Sequence, residues 1–259
     1  MPRSSQPGRS ASSRLLDVLF SFEPGATELT LAQLTRRTGL PHATARRLAL
    51  ELTEVGALEQ RANGRFVVGL RLWRLGTLAP LTESLRTMAQ PFMEDLYSAL
   101  RQHVQLAVLD GSDAVVIERL SAPRAVGITS QVGGRLPLHC SGVGKVLLSH
   151  ASPKLQGETL GGALRRYTPK TITDARLLRR ELAECWRTGA AVVRGELTAD
   201  ADSIATRIMD SNGHVVAALS VVVRSGSVEP HMILPSVITS GLGISRRLGW
   251  RPGVRVKEG

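Results

Sequence analysis

Apolar positions in the first seventy residues follow a helical period and then switch to alternation. Leu15, Leu16, Val18, Leu19 and Phe22 predict a helix over residues 14–22, with Ser12 or Ser13 as its N-cap and Pro24-Gly25 as its end. Glu28-Leu29-Thr30 reads as a short extended piece, and Thr30 can cap a helix over Leu31–Thr38. Gly39 breaks that helix, because a left-handed backbone costs glycine nothing. Pro41 suits the first turn of a further helix that runs to about Glu54, with Leu48, Leu52 and Val55 as its buried stripe. Segments 57–60 and 65–68 flank Asn63-Gly64, a hairpin signal in which both turn residues take positive φ. Two helices on a glycine turn followed by a hairpin predict a winged helix-turn-helix.

The later pattern differs. Residues 70–76 predict a short bridging helix, and Pro80 marks a boundary. Leu85, Met88, Phe92, Leu96 and Leu100 recur at spacings of three and four, predicting a long helix over 82–101 that Pro91 should kink or split. Segments 104–109 and 114–120 flank Asp110-Gly111-Ser112-Asp113 as a hairpin, with a third strand over 124–130. Helices are expected over 141–148 and 174–188, then strands near 190–193, 203–209 and 215–223, the last two turning at Asn212-Gly213. A final helix over 236–248 closes an α+β chain with an antiparallel sheet. The expected organisation is a disordered tail over 1–9, a winged helix over 10–69, a linker helix over 70–80 and a second domain over 81–252.

Composition changes this picture modestly. The formal net charge is +11, which favours a polyanionic partner. Residues 1–79 carry 11 Arg against 6 acids, roughly twice the charge density of the remainder. An Arg-rich solvated surface gives the same charge, so charge supports DNA binding without establishing it. Cys140 and Cys185 stand 45 positions apart without Cys or His ligand spacing, so neither a zinc site nor a disulfide scaffold is expected. No metal or cofactor is expected. No apolar run approaches ~20 residues, and the first ten are polar, so the cytoplasm is the expected compartment.

Candidate chemistry concentrates in two places. His42, Thr44, Arg46 and Arg47 lie in the first two turns of the second helix of the motif, the part that reaches base edges. Arg61 and Arg65 sit at the hairpin tip, suited to phosphates or a minor groove. The candidate DNA-contacting set is Thr30, Arg37, His42, Ala43, Thr44, Arg46, Arg47, Arg61 and Arg65. The second place is Gly142-Val143-Gly144-Lys145, which has the tail of a phosphate loop. Position 139 is His rather than Gly, and position 146 is Val rather than Ser or Thr, so a nucleotide site is not supported. Glycines before a helix leave N–H groups free to grip a carboxylate, or they make a tight packing turn; both readings stay open. His139-Cys140-Ser141 supplies nucleophile and base types, but adjacent residues seldom face each other and no Gly-x-Ser-x-Gly elbow surrounds Ser141. A hydrolase is the alternative enzymatic reading, and a sensor that binds no DNA is the other alternative.

Several ordered blocks resemble the IclR family of bacterial transcriptional regulators. These are Thr38-Gly39-Leu40-Pro41-His42-Ala43-Thr44-Ala45-Arg46-Arg47-Leu48, Gly64-Arg65-Phe66, Gly134-Arg135-Leu136-Pro137-Leu138-His139-Cys140-Ser141-Gly142-Val143-Gly144-Lys145, and Tyr167-Thr168-Pro169-Lys170. Segments 189–196 and 202–221 are similar to its later blocks. The resemblance implies a non-enzymatic, ligand-responsive regulator with a winged helix and a GAF- or PAS-like effector domain. It also implies a dimer or dimer of dimers, active as repressor or activator on a palindromic operator. The implied effector set is Ile128, Leu136, Gly142, Val143, Val193, Ser203, Ser220 and Val222, with the Gly142 and Val143 amides receiving a carboxylate. Members that sense small oxo-acids carry an acid where Val193 stands and a hydroxyl where Val222 stands. The apolar residues here favour a larger effector, such as an aromatic acid. Arg207 stands where an apolar residue is more usual.

Overall fold

The computed structural model describes residues 10–253 other than 24, 77–79, 124 and 129. The tail expected over 1–9 lies outside the described residues, as do 77–79 of the expected linker helix 70–80, whose last residue, Pro80, instead starts the next helix. The chain divides into two compact units at Glu83–Ser84.

In the first unit, α1 (Ala11–Leu19) is capped by Ser10, whose side chain accepts from Ser13 N–H at 3.0 Å. The expected caps Ser12 and Ser13 already lie inside the first turn, because Ser10 is the residue with extended backbone. After β1 (Glu28–Leu29), Thr30 starts α2 (Leu31–Thr38) through a capping box: Gln33 N–H donates to Thr30 Oγ1 at 3.2 Å, and Thr30 N–H donates to Gln33 Oε1 at 2.8 Å. Gly39 takes φ +66° and turns the chain into α3 (His42–Glu54). Leu34, Ala45, Leu48, Leu52 and Phe66 close a core with Val18 and Leu29. Val55 departs from the expected stripe. It is the C-cap of α3 and 51% exposed, because the helical period that would carry it inward has ended.

Strands β2 (Leu58–Gln60) and β3 (Phe66–Val68) form the wing, in a sheet ordered β1-β3-β2. The tip is not the two-residue turn that Asn63-Gly64 suggests. Arg61 N–H donates to Arg65 O at 2.8 Å and Gly64 N–H to Arg61 O at 2.9 Å, with φ positive at Gly64 only. Asn63 instead accepts Arg65 N–H at its side-chain oxygen, at 3.0 Å. This is a type I turn followed by a left-handed glycine, the three-residue hairpin. Helix α4 (Leu70–Gly76) follows.

The second unit contains a six-stranded antiparallel sheet between helices. Helix α5 (Pro80–Leu100) leads to β4 (His103–Asp110), β5 (Asp113–Leu120) and β6 (Arg135–Pro137). Helices α6 (Gly142–Ser149), α7 (Pro153–Gly161) and α8 (Ala175–Thr188) precede β7 (Ala190–Arg194), β8 (Ala201–Met209), β9 (Val215–Arg224) and α9 (Pro230–Arg247). The order β6-β5-β4-β9-β8-β7 brings the central strands β4, β9 and β8 side by side. Residues of α5 and α9 pack on one face through Met93, Leu96, Leu106, Ile204, Leu219, Val237 and Ile244. Residues of α6 and α8 pack on the other through Val143, Val146, Leu147, Leu178, Leu182, Ala205 and Ala218.

Three expectations are corrected. No strand forms among the described residues of 124–130; the strand added to β5 is β6, with Ala114 opposite Leu136. Pro123 and Gly127 interrupt pairing there. The segment is instead tied down by side chains: His103 meets Ser121 Oγ at 3.0 Å and Val126 O at 2.6 Å, while Gln105 donates to Ser130 Oγ at 2.5 Å. Pro91 neither splits nor ends α5, and Pro235 lies inside α9, which starts at Pro230 rather than 236. Both prolines lie on the exposed side, and the carbonyls they leave unpaired, at Thr87 and His231, belong to exposed residues that water can serve.

Candidate functional site

The open face of α3 carries His42, Ala43, Arg46 and Arg47 in solvent, with Thr44 half-buried, while Ala45, Leu48, Ala49 and Leu52 face the core. Arg47 pairs with Glu51 one turn on, at 2.5 Å. Arg46, Arg61 and Arg65 carry no ion pair among the described residues. Arg61 and Arg65 close the wing turn through their backbones, leaving both guanidinium groups available. The structure uses two members of the predicted set within the unit. The Thr30 hydroxyl serves the cap of α2, and Arg37 donates to Ser21 O at 2.8 Å and Glu23 at 3.3 Å, fastening α2 to the segment after α1.

The other predicted set gathers beneath α6. Register places Val193 opposite Ser203, Ser203 opposite Val222, and Gln105 opposite Ser220, so these side chains share one face. Glycine lets α6 settle there: a Cβ on Gly142 would stand 2.4 Å from Ser203 Oγ, and one on Gly144 2.4 Å from Ser141 Oγ and 2.7 Å from Pro137 O. Ser141 caps the helix, accepting Gly144 N–H at 3.1 Å and donating to Pro137 O at 2.7 Å. The N–H groups of Gly142 and Val143 precede the first intrahelical bond, Lys145 N–H to Ser141 O at 2.9 Å.

A cavity of about 450 Å³, the solvent-open space at its mouth included, lies at this helix start. Ile128, Leu136, Gly142, Val143, Val193, Ser203 and Val222 all line it. Ser220 is not in its wall. It lies one register position away, 1% exposed, and its Oγ has no hydrogen-bond partner among the described residues. The sequence reading missed Gln105, Ser130, Cys140 and Leu197, which also line the cavity. Gln105 had a legible signal, a polar residue at an inward position of an otherwise apolar strand. Ser130 had none, since its place depends on the loop. No charged side chain lines the cavity among the described residues.

The neighbouring motif residues are committed elsewhere. Lys145 is 1% exposed, and its Nζ lies 2.6 Å from Glu196 Oε1 and 3.5 Å from Glu181 Oε2. Glu196 Oε2 accepts Ile172 N–H at 3.3 Å, and the Thr168 and Thr171 hydroxyls hold the carbonyls of 195 and 196. The lysine therefore ties α6 to α8 and the end of β7 rather than meeting a phosphate. His139 Nε2 reaches Arg165 O at 2.9 Å. Burial, reinforced by the Glu196 charge, pushes the Cys140 thiol up to about 12. His139, Cys140 and Ser141 thus point to three different tasks, and no nucleophile–base pair forms between them. Arg207 also finds an explanation. It reaches His150 Nε2 at 3.1 Å and Trp186 O at 3.4 Å, in the last turn of α8, where a cation suits the helix end.

Comparisons with known proteins agree with this two-part architecture. The family profile described as IclR helix-turn-helix domain matches residues 11–62, and that described as Bacterial transcriptional regulator IclR C-terminal matches residues 81–244. The Pca regulon regulatory protein of Pseudomonas putida is 32% identical over 218 residues, covering 83% of this chain and 74% of that protein. The HTH-type transcriptional repressor AllR of Escherichia coli is 30% identical over 218 residues, covering 83% and 80%. Among solved structures, an IclR homologue from Microbacterium hydrocarbonoxydans complexed with 4-hydroxybenzoate is 37% identical. Its TM-score is 0.87, covering 92% of this chain and 99% of that one. Among the described residues no helix is long and apolar enough to cross a membrane. With a helix-turn-helix at one end, an antiparallel-sheet domain at the other and both halves matched in order, the chain belongs to the IclR family of bacterial transcriptional regulators.

Proposed function

We propose that this chain is a cytoplasmic, non-enzymatic regulator that reads a palindromic operator as a dimer or dimer of dimers, under the control of a small aromatic carboxylic acid. The observation that carries the effector half is the uncharged cavity at the start of α6, with the buried Ser220 hydroxyl unpartnered beside it. A carboxylate there takes the Gly142 and Val143 N–H groups at the positive end of the helix, with the Ser220 hydroxyl behind the wall. Apolar Ile128, Leu136, Val193 and Val222 then surround a ring, whereas an acid at 193 would be a buried charge with no partner against that ring. The 4-hydroxybenzoate bound by the Microbacterium homologue supports this class of ligand.

On the DNA side, α3 enters the major groove with His42, Ala43, Thr44, Arg46 and Arg47, and the wing sets Arg61 and Arg65 on the flanking backbone. Thr30 adds a phosphate contact at the start of α2, with Arg37 holding the motif's shape. The effector acts by favouring one arrangement of the sensor domains, since equal affinity for both would shift nothing. That preference passes through α5 and α4 to the spacing of the recognition helices. Selection of bound genomic fragments at physiological salt tests the reading. A discrete set of fragments sharing an inverted repeat is expected, and recovery of DNA without a common sequence would overturn it.

A further inference from the structure

Gln105 is 2% exposed in the cavity wall, between Arg119 on β5 and Ser220 on β9 in register. A primary amide buried in an apolar wall is costly unless its donors and acceptor are used. One Gln105 N–H reaches Ser130 Oγ at 2.5 Å. The Ser130 carbonyl in turn accepts from the Arg119 guanidinium. The amide head therefore leans toward β5, while Gly142 sits over Ser203 on β8. Strands β4 and β8 are separated by β9, so the two ends of the cavity lie roughly 10 Å apart. Among the described residues, the Ser130 hydroxyl proton and the remaining N–H and carbonyl of Gln105 have no hydrogen-bond partner. These are two donors and one acceptor in the cavity wall, at the end away from the helix start; the polar atom wholly buried without a partner is Ser220 Oγ.

We propose that the Gln105–Ser130 pair sets effector specificity by hydrogen-bonding a hydroxyl on the ring, opposite the carboxylate held at Gly142 and Val143. The proposal rests on the cavity being an aromatic-acid site. A phenolic hydroxyl can donate to the Gln105 carbonyl and accept from Ser130, satisfying two of the three open groups. An unsubstituted ring leaves those groups facing hydrocarbon, which is how a polar site rejects an analogue lacking its hydroxyl. Because Ser130 lies between β5 and β6, the same contact joins the ligand to that connection and to the sheet.

Calorimetric titration of the full chain with 4-hydroxybenzoate and with benzoate tests this directly. The wild type is expected to prefer 4-hydroxybenzoate by about tenfold or more. Gln105→Leu and Ser130→Ala should each remove most of that preference, by weakening 4-hydroxybenzoate while benzoate, whose ring no longer faces the deleted polar group, binds no more weakly than to the wild type. Ser130→Ala deletes only a hydroxyl and decides the matter if Gln105→Leu does not fold. Equal wild-type affinity for the two acids, or equal weakening of both by Ser130→Ala, overturns the specificity role while leaving the effector site standing. Binding of neither acid by the wild type overturns the aromatic-acid reading itself, and this proposal with it.

Discussion

Lys145 shows how a residue type can mislead until its surroundings are known. In the Gly142-Val143-Gly144-Lys145 sequence it has the look of a phosphate ligand, yet its ammonium is buried against Glu196 and reaches Glu181. Removing one member of a buried pair strands the other charge. Lys145→Met should therefore cost about 3–5 kcal/mol, and adding Glu196→Gln should recover part of it. Urea denaturation of the single and double variants measures both. His139-Cys140-Ser141 supply nucleophile and base types, although adjacent residues seldom face each other and shared chemistry is only the alternative reading. Burial decides against it, since a thiol held near 12 is not a thiolate at neutral pH. What the sequence left invisible was direction: three consecutive side chains go to Arg165, the cavity wall and the cap of α6.

At the scale of elements, periodic helices with clear caps were the most legible. Thr30, Gly39 and Gly189 stand where α2 and α8 begin or end, and Asp174 caps α8 through the N–H groups of 176 and 177. The wing was legible as a hairpin but not in its turn, because Asn63 keeps negative φ and spends its side chain on Arg65 N–H. Segment 124–130 was illegible for a different reason. Its described residues Val126 and Ser130 are held by His103 and Gln105, 23 and 25 positions earlier, and by Arg119. The cavity was half legible: the residues on regular strands and α6 could be placed by pattern, and those on the loop could not. For the recognition helix, Arg46→Ala should cost about 1–3 kcal/mol and relax preference at the contacted base. Arg47→Ala should weaken operator binding severely through loss of its own DNA contact, the exposed Glu51 pair adding only about 0.3–0.5 kcal/mol. Gel shifts against matched operator variants distinguish these outcomes, and unchanged affinity and specificity in both would refute the assignment.

For the whole molecule, the proposed function requires that the cavity and α3 be thermodynamically linked. If occupancy of the cavity by an aromatic acid changes operator affinity, operator DNA must change acid affinity by the same factor. The most direct measurement is fluorescence anisotropy of a selected operator fragment, titrated with protein at fixed salt, with and without saturating 4-hydroxybenzoate. A shift in Kd of about fivefold or more is expected, matched by an equal shift in acid affinity when DNA is bound. Identical operator affinity in the presence of a saturated cavity would contradict the linkage.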